Sequence, residues 1–405
     1  MASRNGGRPT WLLLLPNPPS DISMSALRTA YGPGLTQALK LASKKSTESS
    51  RLVLDIAVSC EHSSIYGYTS LQRLFGMMYK LICVICTEEQ IDLQYGNDVD
   101  ARLTIFQGNL GANESQDKEE TNSSSSQRSF IDLESLAKTE RAWQRICSME
   151  GENAERLLQG FLQTRNSSSQ NVISESQIER LPGGLAVHQN PPQVSRAPSD
   201  FVRYHDSVAV GGTFDHLHAG HKLLLTMTAL LIDPEASGPT FLTIGITGDD
   251  LLKNKQYRDQ LEDFHDRQST VQFFLLGILE LISPKHVLIE AQNNERSKPF
   301  GREVQNTLRS GLTIKYVEIF DPCGPTITDE AISALVLSAE TRSGGQAVND
   351  KRKEKGWPAL DVFEVDVLDA GEGENGPIDD NFQSKISSTD IRRRVHQTAT
   401  ANGKL

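Results

Sequence analysis

The stretch of sequence that decides the fold is VAVGGTFDHLHAGHKLLL, residues 208–225. An apolar run ends at two glycines, His218 and His221 flank an Ala-Gly pair, and the chain then becomes apolar again. This order is typical of a strand, a sharp turn and a helix, since glycine permits the turn and leaves room for a ligand beside the backbone. Free N–H groups at the start of such a helix favour an anion. The stretch therefore predicts a phosphate-binding corner built on residues 211–213.

The two histidines allow three interpretations, which are a metal site, contacts to a phosphate, or packing. A metal site needs further ligands, and no third one stands out near His218 and His221. A histidine at a helix start is by itself more often structural, but the glycine-threonine context favours a phosphate. The glycines of the stretch do not form GxGxxG, and GxxxxGK[ST] occurs nowhere in the chain, which argues against dinucleotide and P-loop sites. We interpret Asp215 as a turn or helix-cap residue rather than a metal ligand.

Strand-like and helix-like segments alternate from about residue 201 to residue 398. Strands are predicted at 207–210, 240–247, 286–289, 314–319, 334–337 and 362–365. Helices are predicted at 220–231, 263–282, 346–355 and 388–395. This alternation predicts an α/β domain with a Rossmann-like, doubly wound parallel sheet, whose active site lies at the carboxyl ends of the strands.

The first half of the chain divides into two predicted parts. Residues 1–110 read as a smaller α/β domain of unknown role, with strands at 11–15, 52–58 and, in LICVIC, 81–86. Residues 111–200 are rich in Ser, Asn, Gln and Pro and predict a largely disordered connector, with one or two helices near 130–163. At the other end, 399–405 is predicted to be a tail.

Composition limits the classes of function. The 405 residues carry a formal net charge of −11, which gives no support to a nucleic-acid partner. Five cysteines do not make a disulfide framework, and Cys83 and Cys86 form one CxxC without a second pair, so we interpret them as buried residues of a strand. No run reaches about 20 apolar residues, the length that spans a bilayer. These features predict a soluble cytoplasmic protein with neither nucleic acid nor membrane as partner.

The residues also carry a resemblance to a known family. GGTFDHLHAGHK resembles the HxGH signature of the nucleotidylyltransferase superfamily, in the form found in phosphopantetheine adenylyltransferases of the eukaryotic and archaeal type. Four downstream segments agree in order: GITGDDLLKNK, DPCGPTITD, LVLSAETRSGGQAVNDKR and ISSTDIR. The resemblance covers residues 201–398, about half of the chain. HxGH alone would name only the superfamily, whereas the five segments together are specific.

The resemblance implies a nucleotidyltransferase that moves the adenylyl group of ATP to 4'-phosphopantetheine, with Mg²⁺ carried mainly by ATP and water. The implied catalytic residues are Thr213, His218, His221 and Lys253. The implied residues for substrate and ATP binding are Gly211, Gly212, Thr213, Phe214, His221, Lys253, Glu340, Arg342, Gly344, Asn349, Arg352, Ser387, Ser388, Thr389 and Arg392. For Lys255 we favour a solvated surface side chain, and for Asn349 and Arg352 an exposed helix face is almost as good an interpretation.

Several alternatives stay open at this point. Among enzymes, the nearest alternative functions are those of a cytidylyltransferase and a nicotinamide-mononucleotide adenylyltransferase. A non-enzymatic alternative is a scaffold for other enzymes of coenzyme A synthesis. The chain shows no P-loop kinase domain of the kind that follows in the bifunctional animal synthase, so we expect the reaction to stop at dephospho-CoA. The extension of about 200 residues ahead of the resemblance is similar to that of fungal members, and its role is not predicted.

Overall fold

The structure is a computed structural model that describes residues 8–46, 51–60, 67–93, 99–108, 131–167, 172–184, 203–282, 288–295, 301–366, 368 and 387–401. The chain divides into two compact units. The first unit contains Met1–Val202 and Glu280–Pro284, and the second contains Arg203–Leu279 and Lys285–Leu405. Among the helices of these described ranges, none combines the length and the apolar character needed to cross a bilayer.

The first unit is built on a parallel sheet of five strands in the order β3-β2-β1-β4-β5. Its strands are β1 (Thr10–Leu15), β2 (Leu52–Ser59), β3 (Val99–Phe106), β4 (Arg145–Met149) and β5 (Ile178–Leu181). Its helices are α1 (Met24–Lys45), α2 (Tyr68–Glu88), α3 (Leu133–Ala137) and α4 (Glu152–Ser167). The strands β1, β2 and β3 are buried along their whole length, as expected for a parallel sheet covered on both faces.

Two predictions for this half of the chain are wrong. The segment 81–86 is the last part of the helix α2, not a strand, because a short apolar run does not distinguish a buried strand from a buried helix. Residues 131–167 and 172–184 are not a connector, since they supply β4, β5, α3 and α4 to the first unit. The polar segments at 109–130, 168–171 and 185–202 lie outside the described residues.

The second unit holds a sheet of seven strands in the order β12-β11-β6-β7-β10-β9-β8. Its strands are β6 (Ser207–Gly212), β7 (Thr240–Thr247), β8 (Leu288–Glu295), β9 (Arg302–Leu308), β10 (Leu312–Ile319), β11 (Ala334–Ser338) and β12 (Asp361–Val365). Its helices are α5 (Ala219–Ala229), α6 (Phe264–Ile282), α7 (Arg342–Glu354) and α8 (Ser388–Ala401). The five strands from β12 to β10 are parallel, and β8 and β9 are antiparallel additions at one edge.

The predicted fold class, a Rossmann-like parallel α/β sheet preceded by an α/β domain, is confirmed. The prediction that the first domain is the smaller one is wrong, because the first unit takes in Met1–Val202 and Glu280–Pro284. The predicted strand at 286–289 overlaps the start of β8 at 288–289, and residues 283–287 lie outside the described ranges. The strand β9 was not predicted. The helix α8 continues to Ala401, so the first residues of the predicted tail are helical. Chain order reverses between β6 and β11, and in such sheets ligands bind outside the carboxyl ends of the strands at that point.

Candidate functional site

The turn after β6 contains two residues with an unusual backbone conformation. Phe214 and His216 both adopt the left-handed conformation, with φ of 52° and 47°, which non-glycine residues rarely do. The ring of Phe214 is buried against Gly212, and a Cβ at Gly212 would lie 3.0 Å from its edge. A larger residue at 212 would therefore press against the aromatic ring that follows it. Strain of this kind persists where the surrounding structure holds it and is common at functional sites.

His218 begins the helix α5 and lies directly under His221. The Nδ1 atom of His218 accepts a hydrogen bond from the backbone N–H of His221 at 3.4 Å, and the two rings stack with centroids 3.8 Å apart. Desolvation by burial, followed by the nearby positive groups, lowers the pKa of His218 well below its usual value and that of His221 to about 3. Both imidazoles are therefore neutral at physiological pH. The Nδ1 atom of His221 is buried without a hydrogen-bond partner in the described structure, so a polar ligand could satisfy it.

A cleft of about 1000 Å³ opens at this corner. It lies at the carboxyl ends of β6 and β11, the position predicted for the active site from the alternating pattern. Of the predicted site residues, those that line it are Gly211, Gly212, Thr213, Phe214, His218, His221, Glu340, Gly344, Ser387, Ser388, Thr389 and Arg392. Four predicted residues do not line it: Lys253, Arg342, Asn349 and Arg352. The structure thus brings together the glycine turn, the start of α7 and the start of α8.

The lysine at the cleft is Lys255 rather than Lys253. The Lys253 side chain is 62% exposed, and its ammonium group lies 3.1 Å from Asp250 outside the cleft. Lys255 lines the cleft, and its positive charge is one of the causes that lower the pKa of His221. The two lysines follow β7 within two residues of each other, and only Lys255 lines the cleft. Nothing in GDDLLKNK indicates the direction of either side chain, so the role of Lys253 stays a prediction, and Lys255 is a second candidate that the structure adds.

Asn349 and Arg352 make hydrogen bonds to the backbone and do not line the cleft. The side chain of Arg352 is 1% exposed and donates to the carbonyls of Thr326, Asp329, Glu330, Ile332 and Pro358. Asn349 exchanges two hydrogen bonds with the backbone of Leu360. The predicted i, i+3 pairing on one helix face is present, but that face is turned inward. The prediction that these two residues bind nucleotide is not supported by their positions.

Arg342 lies at the surface at the start of α7. Its side chain is 74% exposed, and its Nε donates to Glu364 at 2.6 Å. A surface ion pair of this kind adds little stability, so the guanidinium remains able to exchange its partner. Contact with a phosphate would therefore require Arg342 to leave Glu364.

Arg392 lines the cleft, but its guanidinium is occupied by protein groups. The side chain is 2% exposed and donates to Asp215 Oδ2 at 2.5 Å and to the carbonyl of Gln256 at 3.0 Å. Its Nη2 donates to the hydroxyl of Thr389 at 3.2 Å. Asp215, interpreted from the sequence as a turn or cap residue, is therefore the carboxylate partner of this arginine.

Arg267 is a site residue that sequence reasoning missed. It is fully buried on α6, and its Nη1 donates to the carbonyls of Thr213 and Thr247, at 3.0 and 2.8 Å. Its Nη2 contacts Asp249 at 3.0 Å, and Asp249 begins the turn that leads to the cleft lysine. One side chain thus joins the glycine turn to the end of β7. No pattern in the surrounding sequence distinguishes it from a surface arginine of an amphipathic helix.

The acidic groups of the corner have protein partners. In the ranges that the structure describes, no group of three or more His, Cys, Asp or Glu residues is arranged to hold an ion. The carboxylate of Asp215 is taken by Arg392 and by the N–H of Glu262.

Comparison with known proteins gives two family matches. The family described as Cytidylyltransferase-like matches residues 209–394, which lie in the second unit. A domain of unknown function (DUF8446) matches residues 1–187 of the first unit. The second match includes residues 131–184, in agreement with the strands that this segment adds to the first sheet.

Three relatives illustrate the similarity. An uncharacterized protein of Schizosaccharomyces pombe is 34% identical over 48% of this chain and 49% of its own length. The phosphopantetheine adenylyltransferase of Saccharomyces cerevisiae is 33% identical over 53% of this chain and 56% of its own, so the chain spans about half the length of these two relatives. The phosphopantetheine adenylyltransferase of Pyrobaculum aerophilum is 30% identical over 46% of this chain and 90% of its own. Through its second unit, the chain belongs to the phosphopantetheine adenylyltransferase family.

Proposed function

We propose that the protein transfers the adenylyl group of ATP to 4'-phosphopantetheine, which yields dephospho-CoA and pyrophosphate. The observation that carries this proposal is the neutral histidine pair beside Lys255 in a cleft of about 1000 Å³, opposite the hydroxyl-bearing start of α8. The archaeal relative that matches over 90% of its length bears the name of this activity. We place the reaction in the cytoplasm, where the five free thiols of the chain would stay reduced.

The reaction needs no nucleophile from the protein. An oxygen of the acceptor phosphate attacks the α-phosphorus of ATP, a new P–O bond forms, and the bond to the bridging oxygen breaks as pyrophosphate leaves. Negative charge accumulates around the α-phosphorus during this exchange. Neutral imidazoles donate hydrogen bonds to it from His218 and His221 without the cost of moving a charged group, and Lys255 supplies the positive charge.

The nucleotide would be held by the two helix starts that face the cleft. Ser387, Ser388 and Thr389 present hydroxyls at the start of α8, and Gly344 leaves the start of α7 open to a close approach. Unpaired N–H groups at such helix ends bind phosphates well. Mg²⁺ would arrive with ATP and neutralise the leaving pyrophosphate. Recruitment of other coenzyme A enzymes by the first unit stays a prediction from the sequence.

A substrate panel tests this proposal directly. The purified full-length chain is incubated with ATP or CTP and, in turn, with 4'-phosphopantetheine, nicotinamide mononucleotide or phosphocholine, and pyrophosphate release is measured. We expect release only with ATP and 4'-phosphopantetheine together. Release with CTP, or with nicotinamide mononucleotide, would assign the cleft to one of the rival transferases. No release with any pair, from protein that melts cooperatively, would contradict the proposal.

A further inference from the structure

Asp215 lies at the meeting point of three segments of the second unit. Its side chain is completely buried in the strained turn between Phe214 and His216. The Oδ1 atom accepts the backbone N–H of Glu262 at 2.9 Å, and the Oδ2 atom accepts from Arg392 at 2.5 Å. The backbone carbonyl of Asp215 accepts the hydroxyl of Ser388 at 2.9 Å. One residue of the glycine turn therefore makes two separate contacts with the start of α8.

Arg392 completes the link from the side of the helix. Its Nε donates to the carbonyl of Gln256, the residue that follows the cleft lysine Lys255. All three nitrogens of the guanidinium have a protein acceptor, and the positive charge is matched by the Asp215 carboxylate. Three of the five N–H donors of this guanidinium are used within the protein and its charge is matched by Asp215, so its main contacts join parts of the fold.

We propose that Asp215 and Arg392 form a positioning pair, which fixes the start of α8 against the glycine turn and acts on the nucleotide through that helix. The Ser388 hydroxyl is used in this link, and the pair places the hydroxyls of Ser387 and Thr389 at the cleft that the histidines also line. This inference rests on the proposed function, since it assigns those hydroxyls to the phosphates of ATP. It replaces the expectation that Arg392 itself contacts a phosphate.

The two roles for Arg392 make different predictions about Asp215. If the arginine acts by position, loss of either partner releases the start of α8, and the second loss adds little. If the arginine binds a phosphate directly, loss of the Asp215 carboxylate removes a competitor for it, and nucleotide affinity is unchanged or improved. A double-mutant cycle separates these cases, because residues that act as one unit are strongly non-additive.

The experiment uses the full-length chain with Asp215→Asn, Arg392→Gln, the double variant and, as a control, Gln397→Ala at an exposed position of the same helix. Hydrogen exchange of the α8 amides is measured without ligand, and the dissociation constant of MgATP is measured by calorimetry. We expect each single variant to exchange about tenfold faster at α8 and to bind MgATP about tenfold more weakly, with the double variant no worse than the weaker single. Gln397→Ala should match the wild type in both measurements.

Arg392→Lys covers the case in which Asp215→Asn does not fold. Lysine keeps the charge opposite Asp215 but cannot also reach Gln256 and Thr389, so α8 should again exchange faster. Slow, unchanged exchange at α8 in Asp215→Asn and Arg392→Lys, while the wild type binds MgATP, would overturn the positioning pair. Faster exchange in both variants, with no MgATP binding by the wild type, would instead uphold the pair and overturn the proposed function.

Discussion

The imidazole rings of His218 and His221 stack with their centroids 3.8 Å apart and an angle of 20° between their planes. Two protonated rings would repel each other at this distance, and burial already disfavours the charged form of each. The pair therefore acts as two neutral hydrogen-bonding groups, one of which also begins the helix α5. This arrangement suits the stabilisation of charge that appears only during the reaction.

His221→Ala should lower kcat by about 10²–10³, with little change in the affinity for ATP, since a donor to the transition state contributes mainly to the chemical step. Turnover and MgATP affinity measured on one preparation check this, and His265→Ala on the exposed side of α6 serves as control. A variant that melts lower but turns over normally in its folded fraction would assign His221 to packing.

The two lysines after β7 provide a matched pair of variants. Lys255→Ala should weaken the use of 4'-phosphopantetheine far more than the binding of ATP, because Lys255 faces the cleft beside His221. Lys253→Ala should stay within about twofold of the wild type, since its ammonium group is solvated and pairs only with Asp250. Steady-state kinetics with both substrates varied distinguish them. The reverse order of effects would restore Lys253 as the acceptor lysine.

Arg267→Ala should destabilise the second unit by about 3 kcal/mol or more, because it leaves the buried carbonyls of Thr213 and Thr247 without a donor. Thermal melting of the full-length chain measures the effect. Arg258→Ala, an exposed arginine in a nearby turn, is expected to change stability by less than about 0.5 kcal/mol. Similar melting temperatures for the two variants would contradict the structural role of Arg267.

Stability should depend on pH through the two buried histidines. Burial lowers the pKa of His221 to about 3, whereas an unfolded histidine titrates near ~6.5, so between these values the unfolded chain binds more protons. The free energy of unfolding therefore rises with pH across this window, by up to ~1.4 kcal/mol per pH unit for each such histidine, and is constant above it.

His221→Asn removes one of these groups and should make the rise of melting temperature between about pH 4.5 and 6.5 shallower than in the wild type. Calorimetric scans of both proteins at several pH values measure the two slopes. Equal slopes would show that His221 is protonated in the folded protein and that its neutral role is wrong.

The sequence by itself predicted most of the residues that line the cleft of the second unit. The glycine turn, the HxGH signature and the run of hydroxyls before α8 are local patterns, and local patterns report on turns, helix starts and phosphate sites. The parallel strands of that unit could also be predicted from the sequence, because buried parallel strands are continuous apolar runs and helices separate one run from the next. The same reasoning misplaced residues 81–86, because a buried helix and a buried strand have the same short apolar signal.

Tertiary structure alone decided the direction of each charged side chain. Arg267, Arg352 and Arg392 have no local feature that marks them as buried, yet each is fixed by backbone carbonyls that are far away in the sequence. The choice of Lys255 over Lys253 likewise depends on how one turn is oriented over the sheet. Burial costs a charged group its hydration, so its position is set by partners that only the folded chain brings together.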